Sequence, residues 1–246
     1  MKLRYGISIG SAAQLSELPA ASKADFLELS SALFDSVELP PFASRRQGKI
    51  QRFNGRYEAK TLNSLVGAGH GVFMDFYREF SRRCAFFSSL GIREVALKPD
   101  WESAISDTGY AGELRKILQC CFGITAKFNL SVLLELRIPG NAANFPDKLL
   151  KFRNSLMYPL HLLIDLHPHE PGALDNFAAF SAAMPFESDR LRLSFDAGNG
   201  NYVSGKLLEV IRKSVRKGGA NPPEICFSPG EIAGKELFTD LEQVMI

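Results

Sequence analysis

VFMDFYREFSRRCAFFSSLGIREVALK, residues 72–98, contains a helix, a stop and a strand in immediate succession. Phe73, Phe76, Tyr77, Phe80, Cys84 and Phe87 recur at helical spacing, which predicts a helix over Val72 to Leu90. Gly91 supplies the stop, and REVALK, Arg93 to Lys98, is an apolar run of strand length.

The same alternation extends in both directions. Upstream lie short runs at Leu3 to Ile9, Asp25 to Leu29 and Lys49 to Asn54; downstream lie VLLELR (Val132 to Arg137), HLLIDLH (His161 to His167), LRLSFD (Leu191 to Asp196) and EICFS (Glu224 to Ser228). Helical patterns fill the intervals at Tyr110 to Phe128, Asp147 to Leu156, Leu174 to Ala183 and Gly205 to Arg216, and Ile232 to Met245 follows the last run. Strand and helix alternating about eight times is the mark of a parallel sheet with crossover helices. A closed barrel of this kind needs about 250 residues, and the chain has 246. The expected fold is α/β: a (β/α)8 TIM barrel, one domain over residues 1–246, preferred to an open doubly wound sheet.

Composition limits the function classes. With 46% hydrophobic and 23% charged residues the chain is globular rather than disordered. A net charge of +2 gives no broad basic face, so no nucleic-acid partner is expected. Cys84, Cys120, Cys121 and Cys226 show no CxxC spacing and are expected as reduced core thiols. Neither a secretory leader in MKLRYGISIG nor a membrane-length apolar run is read, which makes the expected location cytoplasmic.

Active sites of such barrels lie at the carboxyl ends of the strands. There the runs carry Glu28, Asn54, Lys98 with Asp100, Glu135 with Arg137, the series Asp165, His167 and His169, and Asp196 with Asn199 and Asn201. A charge inside an apolar strand costs several kcal/mol unless paired, metal-bound or wet, so Glu135 and Asp165 require partners. Asp165, His167 and His169 are spaced by two and project to one side if the strand continues, a plausible metal-ligand set. The competing readings are a salt bridge from Arg137 or Lys98, and histidines in a solvated turn broken by Pro168. His70 and His161 read as structural, and SFDAGNGN, residues 194–201, is at most a weak phosphate nest.

In this order the stretches resemble the xylose-isomerase-like barrels, which include sugar and sugar-phosphate isomerases and epimerases and, more distantly, AP endonucleases of family 2. ADFLELSS is similar to the second strand with its acid, Glu28; IQRFNG to the third, with Phe53 and Asn54; residues 65–97 to the VG loop, long helix and fourth strand; VLLELR and HLLIDLHPH to the strands bearing the first two metal ligands. The resemblance implies one divalent cation (Mn, Mg, Co or Zn) held by Glu135 and Asp165, with a histidine from the seventh strand and a glutamate from the eighth. Leu193 and Ser228 stand where those two are expected, so the implied ligand set becomes Glu135, Asp165, His167 and His169, and the usual relay between two glutamates is incomplete.

Three functions follow. The first is a divergent sugar or sugar-phosphate isomerase or epimerase with Glu135 as base and Glu28, Asn54, Lys98, Arg137 and Asp196 as substrate-binding residues. The second is a metal-free barrel, either a carbohydrate-binding or partner protein or one with another acid/base pair such as Glu28 with Lys98. The third, disfavoured by near-neutral charge and only four histidines, is a phosphodiesterase acting on nucleic acid. A small carbohydrate is the expected partner, no membrane is expected, and a homo-oligomer packed through outer helices is left open; burial against the barrel is the commoner use of the aromatic stripe of Val72 to Leu90.

Overall fold

A computed structural model describes residues 4–9, 25–30, 50–54, 59–139, 144–184, 190–194, 209–210, 213 and 224–228. Eight parallel strands form a closed barrel in sequence order. They are β1 (Arg4–Ile9), β2 (Phe26–Ser30), β3 (Ile50–Asn54), β4 (Glu94–Leu97), β5 (Ser131–Leu136), β6 (His161–Leu166), β7 (Arg190–Ser194) and β8 (Glu224–Ser228). The barrel closes by pairing β1 with β8, from Arg4 opposite Glu224 to Ile7 opposite Phe227.

Six helices are described: α1 (Ala59–Asn63), α2 (His70–Ser89), α3 (Trp101–Ser106), α4 (Thr108–Lys127), α5 (Phe145–Asn154) and α6 (Ala173–Ala183). Four of them match predicted helices to within a turn. The short α1 and α3 were not foreseen, and the helices expected at Gly205 to Arg216 and Ile232 to Met245 lie largely or wholly outside the described residues.

Helix ends are set by local chemistry. At the end of α2, Gly91 takes a φ of 78°, which glycine reaches without steric cost, and its N–H bonds Ser88 while that of Ile92 returns to Phe87. Asn129, at φ 55°, performs the same turn after α4, with Leu130 N–H bonded to Thr125. Both turns bury the next apolar residue and lead into a strand.

Side chains alternate across each strand, and the two faces differ in kind. Leu27, Leu29, Val95, Leu97, Leu134, Leu136, Leu162, Ile164, Leu191 and Leu193 join the helix layer in one apolar core with Phe80, Cys84 and Phe87 of α2, Leu114 and Leu118 of α4, Leu149 of α5 and Phe177 of α6. Each such side chain contributes roughly 1.5–3 kcal/mol by leaving water. The stripe of α2 is therefore used, at Phe80, Cys84 and Phe87, to cover the barrel. The four cysteines form no disulfide.

The inward face is only partly apolar. Ala96, Leu133 and Leu163 form a small separate cluster. The other buried polar or charged strand residues include Ser8, Glu28, Arg52, Glu94, Glu135 and Arg192, where bulky aliphatic side chains are the rule in such barrels. A close contact limits one strand: a Cβ on Gly6 of β1 would come within 2.3 Å of the Phe26 ring, which in turn lies 5.3 Å beneath the Arg52 guanidinium.

Candidate functional site

The buried charges form a ladder of alternating sign. Arg190 Nη2 lies 3.1 Å from Glu94 Oε1, and Glu94 Oε2 accepts from Arg52 Nε at 3.0 Å and Nη2 at 2.8 Å. Arg52 Nη1 reaches Glu28 Oε2 at 3.1 Å; Glu28 Oε1 accepts from Arg192 Nε at 2.8 Å and from Ser8 Oγ at 3.0 Å. Arg192 Nη1 continues to Glu135 Oε2 at 2.7 Å, and the other oxygen of Glu135 meets Lys98 Nζ at 3.2 Å. The ladder starts at the amino-terminal residues of β4 and β7 and ends at Lys98, whose half-exposed ammonium follows the carboxyl end of β4.

Each charge is held by its neighbours. Burial would raise the Glu28 carboxyl, but the charges of Arg192 and Arg52 and the hydrogen bonds from Arg52 and Ser8 bring it below the usual carboxylate range. Glu94 behaves alike under Arg52 and Arg190. Burial works against a charged Arg192, yet Glu28, Glu135 and Asp165 raise its pKa and the guanidinium stays ionised.

Asp165 stands beside the ladder at the end of β6. Its Oδ2 is 3.2 Å from His167 Nε2, and its Oδ1 accepts from Ser194 Oγ of β7 at 2.5 Å. Burial pushes its carboxyl up, whereas the His167 hydrogen bond, the Arg192 charge and the Ser194 hydroxyl bring it down to about 2. The bond to Asp165 raises the His167 pKa against a smaller opposing effect of burial.

The expected site residues separate into distinct places. Arg192 links two pairs at the carboxyl ends of β4 to β7: it bonds Glu135, which also holds Lys98, and its charge acts on Asp165, which is bonded to His167. Glu28, expected to bind substrate, has no exposed surface and both its oxygens are occupied, so it has none to offer a ligand. The suggested Glu28 and Lys98 acid/base pair is corrected likewise, because Lys98 pairs with Glu135. Arg137 is exposed and bonds Glu170 rather than Glu135. Asn54 pairs in register with Ser30, its side chain lying outside the described residues; Asp196 and the whole glycine-rich stretch after β7 also lie outside them.

Leu193 needs the plainest correction. A strand turns successive side chains to opposite faces, and Leu193 joins the outer apolar core. The positions of β7 that face the barrel interior belong to Arg190, Arg192 and Ser194, each bonded to an interior carboxylate.

These donors do not fit the divalent cation that the resemblance implies. Every oxygen of Glu135 and Asp165 already faces a donor, and the nearest charge is a buried guanidinium. His169 lies exposed in the turn after β6, so the set Glu135, Asp165, His167 and His169 is not brought together. Among the described residues no three His, Cys, Asp or Glu side chains are grouped as a metal site.

Sequence reasoning missed Arg52, Arg192 and Ser194. It also missed Trp101, whose Nε1 donates to the Glu135 carbonyl at 2.7 Å. Trp101 opens α3, where Asp100 caps the helix by accepting from Ser103 N at 3.1 Å. It is also part of a cavity of about 630 Å³ at the carboxyl end of β5, with Ile105, Pro139 and Phe145 as apolar wall and Glu102, Arg137, Asn144 and Lys148 as polar groups. That is within the usual range for small-molecule sites.

No family model and no curated protein matches the chain. Solved structures do. A probable 3-DHS dehydratase, AsbF of Bacillus anthracis, matches at 12% identity over 99% of this chain and 98% of its own, with a TM-score of 0.65. A xylose isomerase domain protein from Planctomyces limnophilus gives 12% identity, coverage of 99% and 95%, and a TM-score of 0.59. The D-allulose 3-epimerase of Methylomonas sp. in complex with D-allulose gives 13%, 98% and 89%, and 0.59. At this level of identity the likeness is one of architecture, and the chain shares the α/β barrel fold of these structures.

Proposed function

We propose that the protein is a divergent sugar isomerase/epimerase-like barrel that binds a small carbohydrate at the carboxyl ends of β4 to β6 and moves a proton there through His167. The observation that carries this reading is the bond between Asp165 and His167: a buried carboxylate orients an imidazole that is itself one-fifth exposed. A cavity after the end of β5, walled by Trp101 and Phe145 with Glu102, Arg137 and Lys148, has lining chemistry suited to a polyhydroxylated ring, although Lys98, Glu135, Asp165 and His167 do not themselves line it.

Isomerisation or epimerisation next to a carbonyl needs a base for the C–H proton and a positive partner for the oxygen that becomes anionic. His167 in its neutral form takes the proton and in its charged form returns it, with Asp165 stabilising the imidazolium. Lys98, half-exposed and anchored by Glu135, presents an ammonium to the developing oxyanion. The base role expected of Glu135 passes to His167 in this proposal, because both Glu135 oxygens are engaged by cations.

The test is deuterium uptake from D2O into a panel of ketoses and aldoses, followed by NMR, with thermal shift reporting binding. The expected result is uptake by one sugar and a loss of about 100-fold in His167→Gln. Neither uptake nor binding across the panel would overturn the proposal. A second reading, carbohydrate binding without turnover, is favoured by the closed set of ion pairs around Glu135, and binding without exchange would decide for it.

A further inference from the structure

Glu135 and Asp165 come from adjacent strands, and carboxylates so placed in a low-dielectric interior require positive charge. In this chain that charge is covalently attached. Arg192 Nη1 lies 2.7 Å from Glu135 Oε2, its Nε lies 2.8 Å from Glu28 Oε1, and its side chain is 4% exposed. Asp165 lies within range of its charge and is tied to Ser194, two residues along the same strand. Lys98 adds a second positive charge on the other oxygen of Glu135, so the two side chains together bring the charge of a divalent ion.

We propose that the Arg192 guanidinium is the resident cation of this site, filling the place between the β5 and β6 carboxylates that a divalent metal would otherwise take, so that the protein assembles and keeps its site without one. A metal entering there would have to displace a guanidinium that is already hydrogen-bonded to Glu28 and Glu135, or share the interior with its charge. Neither a chelator nor a pH change in the ordinary range removes an arginine's charge. The inference concerns the cation and not the ligand, so it stands or falls separately from the proton transfer proposed above.

The test measures metal content and melting without any sugar. Protein loaded with Mn²⁺ or Zn²⁺ and then dialysed is expected to retain well under one equivalent, with a melting temperature unmoved by either ion or by chelator. About one equivalent, lost in a Glu135→Gln, Asp165→Asn double variant, would overturn the proposal. Arg192→Ala is expected to melt lower and to regain about 5 °C or more with millimolar Mn²⁺, because the vacated carboxylates then accept the ion. An Arg192→Ala protein indifferent to Mn²⁺ would overturn the substitution of one cation for the other. Should that variant fail to fold, Arg192→Lys, which keeps the charge, is expected to fold and remain indifferent to metal; uptake of metal by it would count against the proposal.

Discussion

Arg52 bonds one oxygen of Glu94 with two nitrogens, Nε at 3.0 Å and Nη2 at 2.8 Å, and so joins the strands β3 and β4 where their backbone pairing is shortest. Those strands are in register at Arg52–Glu94 and Phe53–Val95 only, whereas β4 and β5 pair from Glu94–Ser131 through Leu97–Leu134.

Arg52 is fully buried, and Glu28 is its second partner. Removing one member of a buried network leaves uncompensated charge behind and costs about 3–5 kcal/mol. Arg52→Met is therefore expected to lose that much in urea unfolding, while Lys116→Ala, which breaks an exposed pair with Glu113, should lose less than about 1 kcal/mol. Equal losses would show that the interior pairs matter no more than those on the surface.

Acid should dismantle the same network. Glu28 and Glu94 have folded pKa values depressed below the unfolded ones, so their contribution is present above the ordinary carboxylate range and is lost as pH falls below it through the depressed values. Asp165, depressed to about 2, gives up its share as pH falls towards that value. Melting temperature measured from pH 7 downward should fall steeply below about pH 4, and less steeply in Glu94→Gln, which has one depressed carboxylate fewer.

His167 carries the opposite sign. Its pKa is raised by the Asp165 bond, so the stabilisation it provides is complete below the ordinary histidine value and disappears as pH rises through the raised one. NMR titration of its ring should show the raised midpoint in the native protein and a return towards the ordinary value in Asp165→Asn. A midpoint that does not move would mean that the bond is not made in solution.

Asp100 holds the start of α3 through Ser103 N at 3.1 Å and Ser103 Oγ at 2.8 Å. Asp100→Ala is expected to cost about 1 kcal/mol by the loss of this cap. Because Trp101 follows directly and bonds the Glu135 carbonyl, the variant should also change the tryptophan emission; Asp107→Ala, which uncaps α4 instead, should not.

The strands and the longer helices were legible because each bears one apolar face at its own period, and Gly91 marked one boundary. The charged interior was not. RLRLS, Arg190 to Ser194, shows the period of two plainly, but alternating arginines ordinarily read as a solvent face. Only closure of the barrel turns that face inward, onto Glu28 and Glu94 from strands more than 90 residues away in sequence. Matching the family pattern residue by residue along β7 put weight on Leu193, while the neighbours on either side hold the interior position. The juxtaposition of Asp165 and His167 was legible because the odd charge at a strand end and the spacing of two are both local signals, whereas the strand ends at Leu166, before His169.

The ladder also acts on strand alignment. A slip of one residue in β7 would turn Arg190 and Arg192 into the helix layer and bring Leu191 and Leu193 against Glu28, Glu94 and Glu135, none of which can find compensation from a methyl group. A slip of two, roughly 6.6 Å along the strand, would restore the parity and put one arginine in the other's place, but would leave either Glu94 without Arg190 or Glu28 and Glu135 without a guanidinium. An aliphatic interior tolerates either error far better, since one branched side chain fills another's space. Charge alternation thus gives this barrel a lock in which every slip of β7 leaves at least one buried carboxylate without its cation.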